Sequence, residues 1–255
     1  MAFDVDLPDD PTIEALDAEA RAVVAGLWTD RTRSERRASA IFAVIAGDLL
    51  AQGAIPEVLD RATRAVHDEA RHVEICRQVA SRYAGEAVPW PPAEPSPIPM
   101  FTDASPELAR ELYVVANTCV AESVGVAYLS ACRSDAEGPL VRAAIQLLLR
   151  DDVDHARIGW AHLASDRPSA ALRGALPRAL PALLRAVRRA YFDRAAEIPE
   201  SPPRGHGCPS PAAIREAVDL ALVHVVVPGF EHVGVDTRAA RRWLDSIVAG
   251  SAAAT

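Results

Sequence analysis

The sequence predicts an all-α protein, a four-helix bundle with one long crossover and additional C-terminal helices. Apolar residues recur at helical rather than strand spacing along most of the 255 residues. Half of the residues are apolar and only 5% are aromatic. Alanine is abundant, a balance that suits packed helices over alternating strands. Two helical pairs, each joined by a short turn, flank a single proline-rich stretch, which is the connectivity of a bundle with one crossover.

In chain order, a short helix is expected over residues 12–27. A longer one follows with Asp30 as its N-cap and Gly53 just past its end. The next is expected over 56–83, with Pro56 in its first turn and Gly85 after its last. Residues 88–99 hold six prolines and read as an extended, polyproline-like connection. Ser105-Pro106 opens a helix to 133, and Gly138-Pro139 opens another to 165. A helix over 169–196 carries six arginines from Arg173 to Arg194, read as a solvated face. A loop at 202–211 leads to a helix broken at Pro228-Gly229, and a last helix covers 236–248. This divides the chain into an N-terminal extension (1–29), the bundle (30–166) and a C-terminal helical extension packed on it (167–255).

Composition narrows the function. The net charge is −8, which argues against a nucleic-acid partner. Every basic residue is arginine, so Schiff-base and P-loop lysine chemistry are excluded. Cys76, Cys119, Cys132 and Cys208 form no C-x-x-C pair and read as reduced thiols of a cytoplasmic protein. The first twenty residues are acidic with no basic residue, unlike a signal peptide, and no uninterrupted apolar run reaches membrane-spanning length.

The chemistry lies in an internal echo. Asp68-Glu69-Ala70-Arg71-His72 and Asp151-Asp152-Val153-Asp154-His155 each place a His three residues after the second of two acids. On a helix, that spacing lets acid and imidazole grip one metal ion. Each motif follows a helix with a lone acid on an apolar face. Glu35 lies in the heptad stripe Trp28, Glu35, Phe42, Leu49, and Glu122 lies among Val115, Cys119, Val126 and Leu129. Four apolar faces thus carry four carboxylates and two imidazoles, which is costly unless metal ions balance them. The ligand types suit iron or manganese better than zinc. Spacing alone leaves Asp151 open as a ligand, at i, i+4 from His155.

At these residues, over about 30–165, the chain resembles the ferritin-like di-iron carboxylate superfamily, in its oxygenase and oxidase branch. The resemblance implies a ferritin-like bundle whose metal ligands and catalytic residues are Glu35, Glu69, His72, Glu122, Asp152 and His155. Asp68-Glu69-x-Arg71-His72 is also similar to the D-E-x-R-H signature of bacterial multicomponent monooxygenases. That similarity implies that Asp68 and Asp151 accept hydrogen bonds from ligand histidines, orienting His155 and His72. The implied cofactor is two iron ions, with manganese or a mixed pair as alternatives. Two positions depart from the pattern. Asp152 stands where Glu is usual and is expected to bind one ion terminally, and Asp154 stands where Arg is usual. Cys76 occupies the turn after His72, so a radical-storing tyrosine there is not expected.

The expected function is O2 activation at a reduced di-iron centre, to hydroxylate or N-oxygenate a small organic substrate. An external electron donor is expected, and a homodimer is possible. The alternative is a ferroxidase, peroxide-removing or metal-handling protein without an organic substrate. Gly125 and Gly159 are candidates for space beside the metals, His162 for a core or pocket residue, and His224 with Phe230 for a cap on the bundle mouth.

Overall fold

A computed structural model of the chain describes residues 3, 5–92 and 101–252, and among them only helices, turns and loops occur. The predicted polyproline connection lies outside the described residues from 93 onward. After a short 3₁₀ turn at Pro11–Ile13, α1 spans Ala18–Ala51 and α2 spans Pro56–Ala84. The two form a long hairpin.

Asp30 is not an N-cap, and no helix ends before it. The cap is Asp17, whose carboxylate accepts from the Ala20 amide at 2.8 Å. Asp30 instead pairs with Arg33, while the Thr29 and Thr32 hydroxyls donate to carbonyls one turn back inside the helix. Trp28, Arg31 and Thr32 are buried, and their packing carries the helix through. The end of α2 is as expected, with Gly85 at φ 73°.

Residues 106–135 form one helical rod with an irregular centre. Helix α3 (Pro106–Val114) and helix α4 (Glu122–Asp135) are joined by a π-helical segment, Val115–Ala121. The Thr118 hydroxyl donates to the Val114 carbonyl at 2.7 Å, and the Glu122 amide reaches back to Asn117. The wider turn ends where Glu122 begins, and such segments often sit at functional sites. This rod is the one described helix long and apolar enough to cross a membrane, with a mean hydropathy of 1.4 over its most apolar stretch. Most of that stretch is buried inside the bundle.

Helix α5 (Pro139–Ala164) completes the four-helix core, packing on α2, α4 and the π segment. Gly159 makes the last contact possible. A Cβ there would lie 2.2 Å from Thr118 Oγ1 and 2.5 Å from Cys119 Sγ. It therefore provides close helix packing rather than open space.

The C-terminal helices cover α3 and α4. Helix α6 (Ala170–Ala195) buries Leu172, Leu176, Leu180 and Leu184 and exposes Arg173, Arg178, Arg185 and Arg189. Half-buried Arg188 pairs with Asp219, and half-buried Arg194 donates to the Asp30 carbonyl on α1. Helix α7 (Pro211–Ala221) runs into a second π segment, Leu222–Val226, and then α8 (Val227–His232). The expected break at Pro228-Gly229 does not occur. The Val227 amide bonds five residues back to Leu222, and this wider turn gives the proline ring room. Helix α9 (Arg238–Ala252) closes the layer. Phe230 is buried against Trp160, with ring centroids 4.9 Å apart, whereas His224 faces outward. His206 is tucked under the bundle, where its Nδ1 lies 2.7 Å from the Tyr83 hydroxyl.

Inside the four-helix core, two apolar layers leave a gap between them. One contains Trp28, Ile75, Val79, Leu129, Ile145 and Leu148, and the other Phe42, Ile45, Ala65, Val114 and Ile158. The gap falls at Glu35, midway between Trp28 and Phe42 on α1. Gly159→Ala is expected to lower unfolding free energy by about 1–3 kcal/mol through overpacking, read by denaturant titration. An unchanged midpoint would show that α5 can move off the π segment without cost.

Candidate metal centre

Each core helix delivers part of one cluster to this gap. Helix α1 supplies Glu35, α2 supplies Glu69 and His72, the end of the π segment supplies Glu122, and α5 supplies Asp152 and His155. Two overlapping groups have the proximity a metal ion requires: Glu35, Glu69 and His72; and Glu69, Glu122, Asp152 and His155. Within each, one ligand atom per residue lies within 4.8 Å of every other. These buried groups can hold a metal ion. All six residues expected from sequence are brought together.

Glu69 is common to both groups and stands between the imidazoles. Its Oε2 is 3.6 Å from His72 Nδ1, and its Oε1 is 2.9 Å from His155 Nδ1. Asp152 occupies a similar middle position, with Oδ1 3.6 Å from Nδ1 of both His72 and His155. This oxygen is equidistant from the two imidazoles, although Asp152 belongs to the His155 ligand group alone. Glu35 lies on the His72 side, with Oε2 3.8 Å from Nδ1.

An acid faces the outer nitrogen of each ring, hydrogen-bonded at His72 and more distant at His155. His72 Nε2 donates to Asp151 Oδ2 at 3.1 Å, and Arg71 also donates to Asp151. His155 Nε2 lies 3.6 Å from Asp68 Oδ2. The pairing is crosswise between α2 and α5, so each motif's leading acid faces the other motif's histidine. Asp151 therefore lies behind His72 and outside both candidate ligand groups. Arg71 ties the two outer acids together, lying 3.3 Å from Asp68 as well. Its position in the motif was visible in the sequence, but nothing in the spacing showed its role.

The inner atoms are orphans. Glu69 Oε2, Asp152 Oδ1, His72 Nδ1 and His155 Nδ1 are buried without a hydrogen-bond partner, the 2.9 Å approach of Glu69 Oε1 to His155 lacking hydrogen-bond geometry. Of the outer nitrogens, His155 Nε2 is partnerless too. Unpaired buried polar atoms are costly and uncommon, and here the inner ones converge on one space. This is the arrangement expected of ligands whose ion would complete them.

Electrostatics show how the cluster behaves without an ion. Burial pushes the Asp152 carboxyl up to about 8 and raises Glu122 well above the usual carboxylate range. Burial also works against ionised Glu69, but His155 and His72 beside it hold its carboxyl down at about 2. Burial alone would lower both imidazoles. Asp151, Glu35 and Glu69 overcome it at His72, and Asp68 and Glu69 raise His155 to about 10. The cluster thus retains protons that a metal must displace.

Glu35, Glu69, Glu122 and Asp152 also line a cavity of about 640 Å³ between α1, α4 and α6. Arg31, Gly125, Tyr128 and Tyr191 form more of its wall. A Cβ at Gly125 would lie 3.4 Å from the Tyr191 hydroxyl, so this glycine does leave room beside Glu122. His162, two turns beyond His155, is 1% exposed and lines none of this cavity. Glu74, two residues beyond His72 on α2, is buried at 6% exposure and bound by Arg77 and Gln78. No family model, curated protein or solved structure matches the chain.

Glu69→Ala and His72→Ala are expected to lower bound metal sharply while helical content persists, and Asp60→Ala, at an exposed ion pair with Arg64, is not. Elemental analysis beside circular dichroism reads both, and equal metal in all three variants would remove the assignment. Metal uptake near pH 7 is expected to release protons, because Asp152 at about 8 and His155 at about 10 are protonated there. Apparent affinity should therefore rise with pH and fall on acidification. Calorimetry in two buffers of different ionisation enthalpy measures the release, and none detected would mean that the empty site is already deprotonated.

Proposed function

We propose that this chain is a ferritin-like di-iron carboxylate protein that uses O2 to oxidise a small organic molecule by hydroxylation or N-oxygenation. The observation that carries this reading is the pair of overlapping ligand groups sharing Glu69, set in the floor of a cavity large enough for an organic molecule. Iron bound there would supply the electrons that reduce O2 and so generate the oxidant. Four carboxylates balance two divalent ions, which answers the charge problem that the apolar layers pose.

The chain's own residues set the conditions. Asp151 keeps a proton on His72 Nε2 and so aims Nδ1 at the cluster, and Asp68 stands in the corresponding place beside His155. Phe42 packs on the His155 ring with centroids 5.0 Å apart, closing one side against water. Glu35 and Glu122 open onto the cavity, where substrate would approach. A ferroxidase or peroxide-removing protein, the alternative reading, needs room only for an ion or peroxide, and the cavity walled by α6 favours the organic substrate. Reducing equivalents would come from a separate donor protein.

The test loads the protein with iron(II) without oxygen and then exposes it to O2. About two iron ions per chain are expected, with O2 consumption and a change in visible absorbance. One ion or none, with no O2 consumed, would remove the oxidoreductase reading.

A further inference from the structure

Four residues before Glu35 on α1, and so on the same face, Arg31 is 6% exposed. Its Nη2 donates to the Tyr128 hydroxyl at 2.9 Å and to Cys132 Sγ at 3.1 Å. The guanidinium carbon lies 4.4 Å from the Trp28 ring centroid and 5.3 Å from that of Tyr128. Its Nε and Nη1 are buried with no partner, and among the described residues no carboxylate forms an ion pair with it. A guanidinium cannot shed its proton to relieve this burial. Aromatic faces offset part of the cost, but a buried cation without an anion is a costly arrangement.

Arg31 lies in the wall between two spaces. One, of about 50 Å³, borders Trp28, Cys208 and Pro209 and has room for water. Water can occupy a donor but cannot balance a charge. The other is the large cavity whose floor is the metal cluster. Once two divalent ions neutralise the four carboxylates there, Arg31 is left as the uncompensated buried charge beside them.

We infer that this cavity binds an organic monocarboxylate, with the Arg31 guanidinium as its anchor and the organic body lying over Glu35 and Glu122. One helical turn, about 6 Å along the axis, separates Arg31 from Glu35. A carboxylate held at Arg31 therefore places the next few atoms of a small molecule at the cluster. Tyr128 and Tyr191 supply aromatic walls for an aryl group. Arg33, Arg37 and Arg194 also border the cavity, but Asp30, Asp193 and Glu197 stand among them, so its rim is mixed in charge rather than a broadly basic funnel for a polyanion. Nη2 is spent on Tyr128 and Cys132, so the Nε and Nη1 donors that remain offer a carboxylate charge-assisted single bonds rather than a two-pronged fork. This inference depends on the proposed oxidation only for the fate of the bound molecule, not for binding.

The probe is benzoate, titrated calorimetrically into the metal-loaded protein, with benzamide as its neutral isostere. Benzoate is expected to bind about ten-fold tighter or more. Arg31→Gln should abolish that preference with metal content unchanged, and Arg31→Lys should retain only part of it, because an ammonium keeps the charge but not the positions of the guanidinium donors. Equal binding of the two probes would overturn the inference. So would full benzoate affinity in Arg31→Gln, which would place the carboxylate on the metals instead. If Arg31→Gln does not fold, Gly125→Leu fills the cavity while leaving Arg31 in place, and undiminished benzoate binding there would overturn it equally. Protein that binds benzoate through Arg31 but consumes no O2 would discard the oxidase reading alone. O2 consumption without an Arg31-dependent preference would discard this inference alone.

Discussion

Burying ionisable groups between two apolar layers is the constraint on which the rest of this structure depends. Glu69 and His155 are each 2% exposed, His72 is fully enclosed, and all three lie between layers that offer no hydrogen bonds. An ionised carboxylate in such surroundings needs a counter-charge. Without an ion, the protonated imidazoles counter Glu69, while the nearby arginine, Arg71, is spent on Asp68 and Asp151 behind the rings. Arginine outside and partnerless oxygens and nitrogens inside is a division of labour that suits a metal ion at the centre.

The layout of each helix follows from supplying this layer without breaking the core. On α1, the stripe Trp28, Glu35, Phe42 puts one acid between two large buried rings. On α2 and α5, a carboxylate and an imidazole three residues apart share a face, with apolar residues a turn away on either side. The third side is harder, because the stripe that includes Val115 and Cys119 must also present Glu122. The π turn immediately before Glu122 adds the rotation that lets one rod do both.

These features were unequally legible in the sequence. The six ligands and the two outer acids could be read, because each is a polar residue on an otherwise apolar helical stripe and the pattern occurs twice. The crosswise pairing of Asp68 with His155 and Asp151 with His72 was readable through the family resemblance, not from spacing. Asp30 misled because an acid before an apolar run resembles a cap, whereas the burial of Trp28, Arg31 and Thr32 holds the helix continuous. Nothing in the sequence marks the charged Glu74 as buried, because Arg77 and Gln78 satisfy it under cover. The π segments left no local signal, since a one-residue change in hydrogen-bond register is decided by tertiary packing. The burial of Arg31 left no sequence signal because it depends on Tyr128 and Cys132, about a hundred positions away.

Asp152 shows how local departures and global packing compensate. An aspartate is one methylene shorter than the glutamate usual at this position in the family that the chain resembles. A shorter arm from an unchanged helix would fall short of the middle of the cluster. Yet Asp152 Oδ1 stands equally near both imidazoles. Two turns further along α5, Gly159 lets the helix approach the π segment more closely than any side chain would permit. Residues 152 and 159 share a face of α5, so the same face that comes close to the π segment at the glycine carries the carboxylate that stands 3.6 Å from each imidazole.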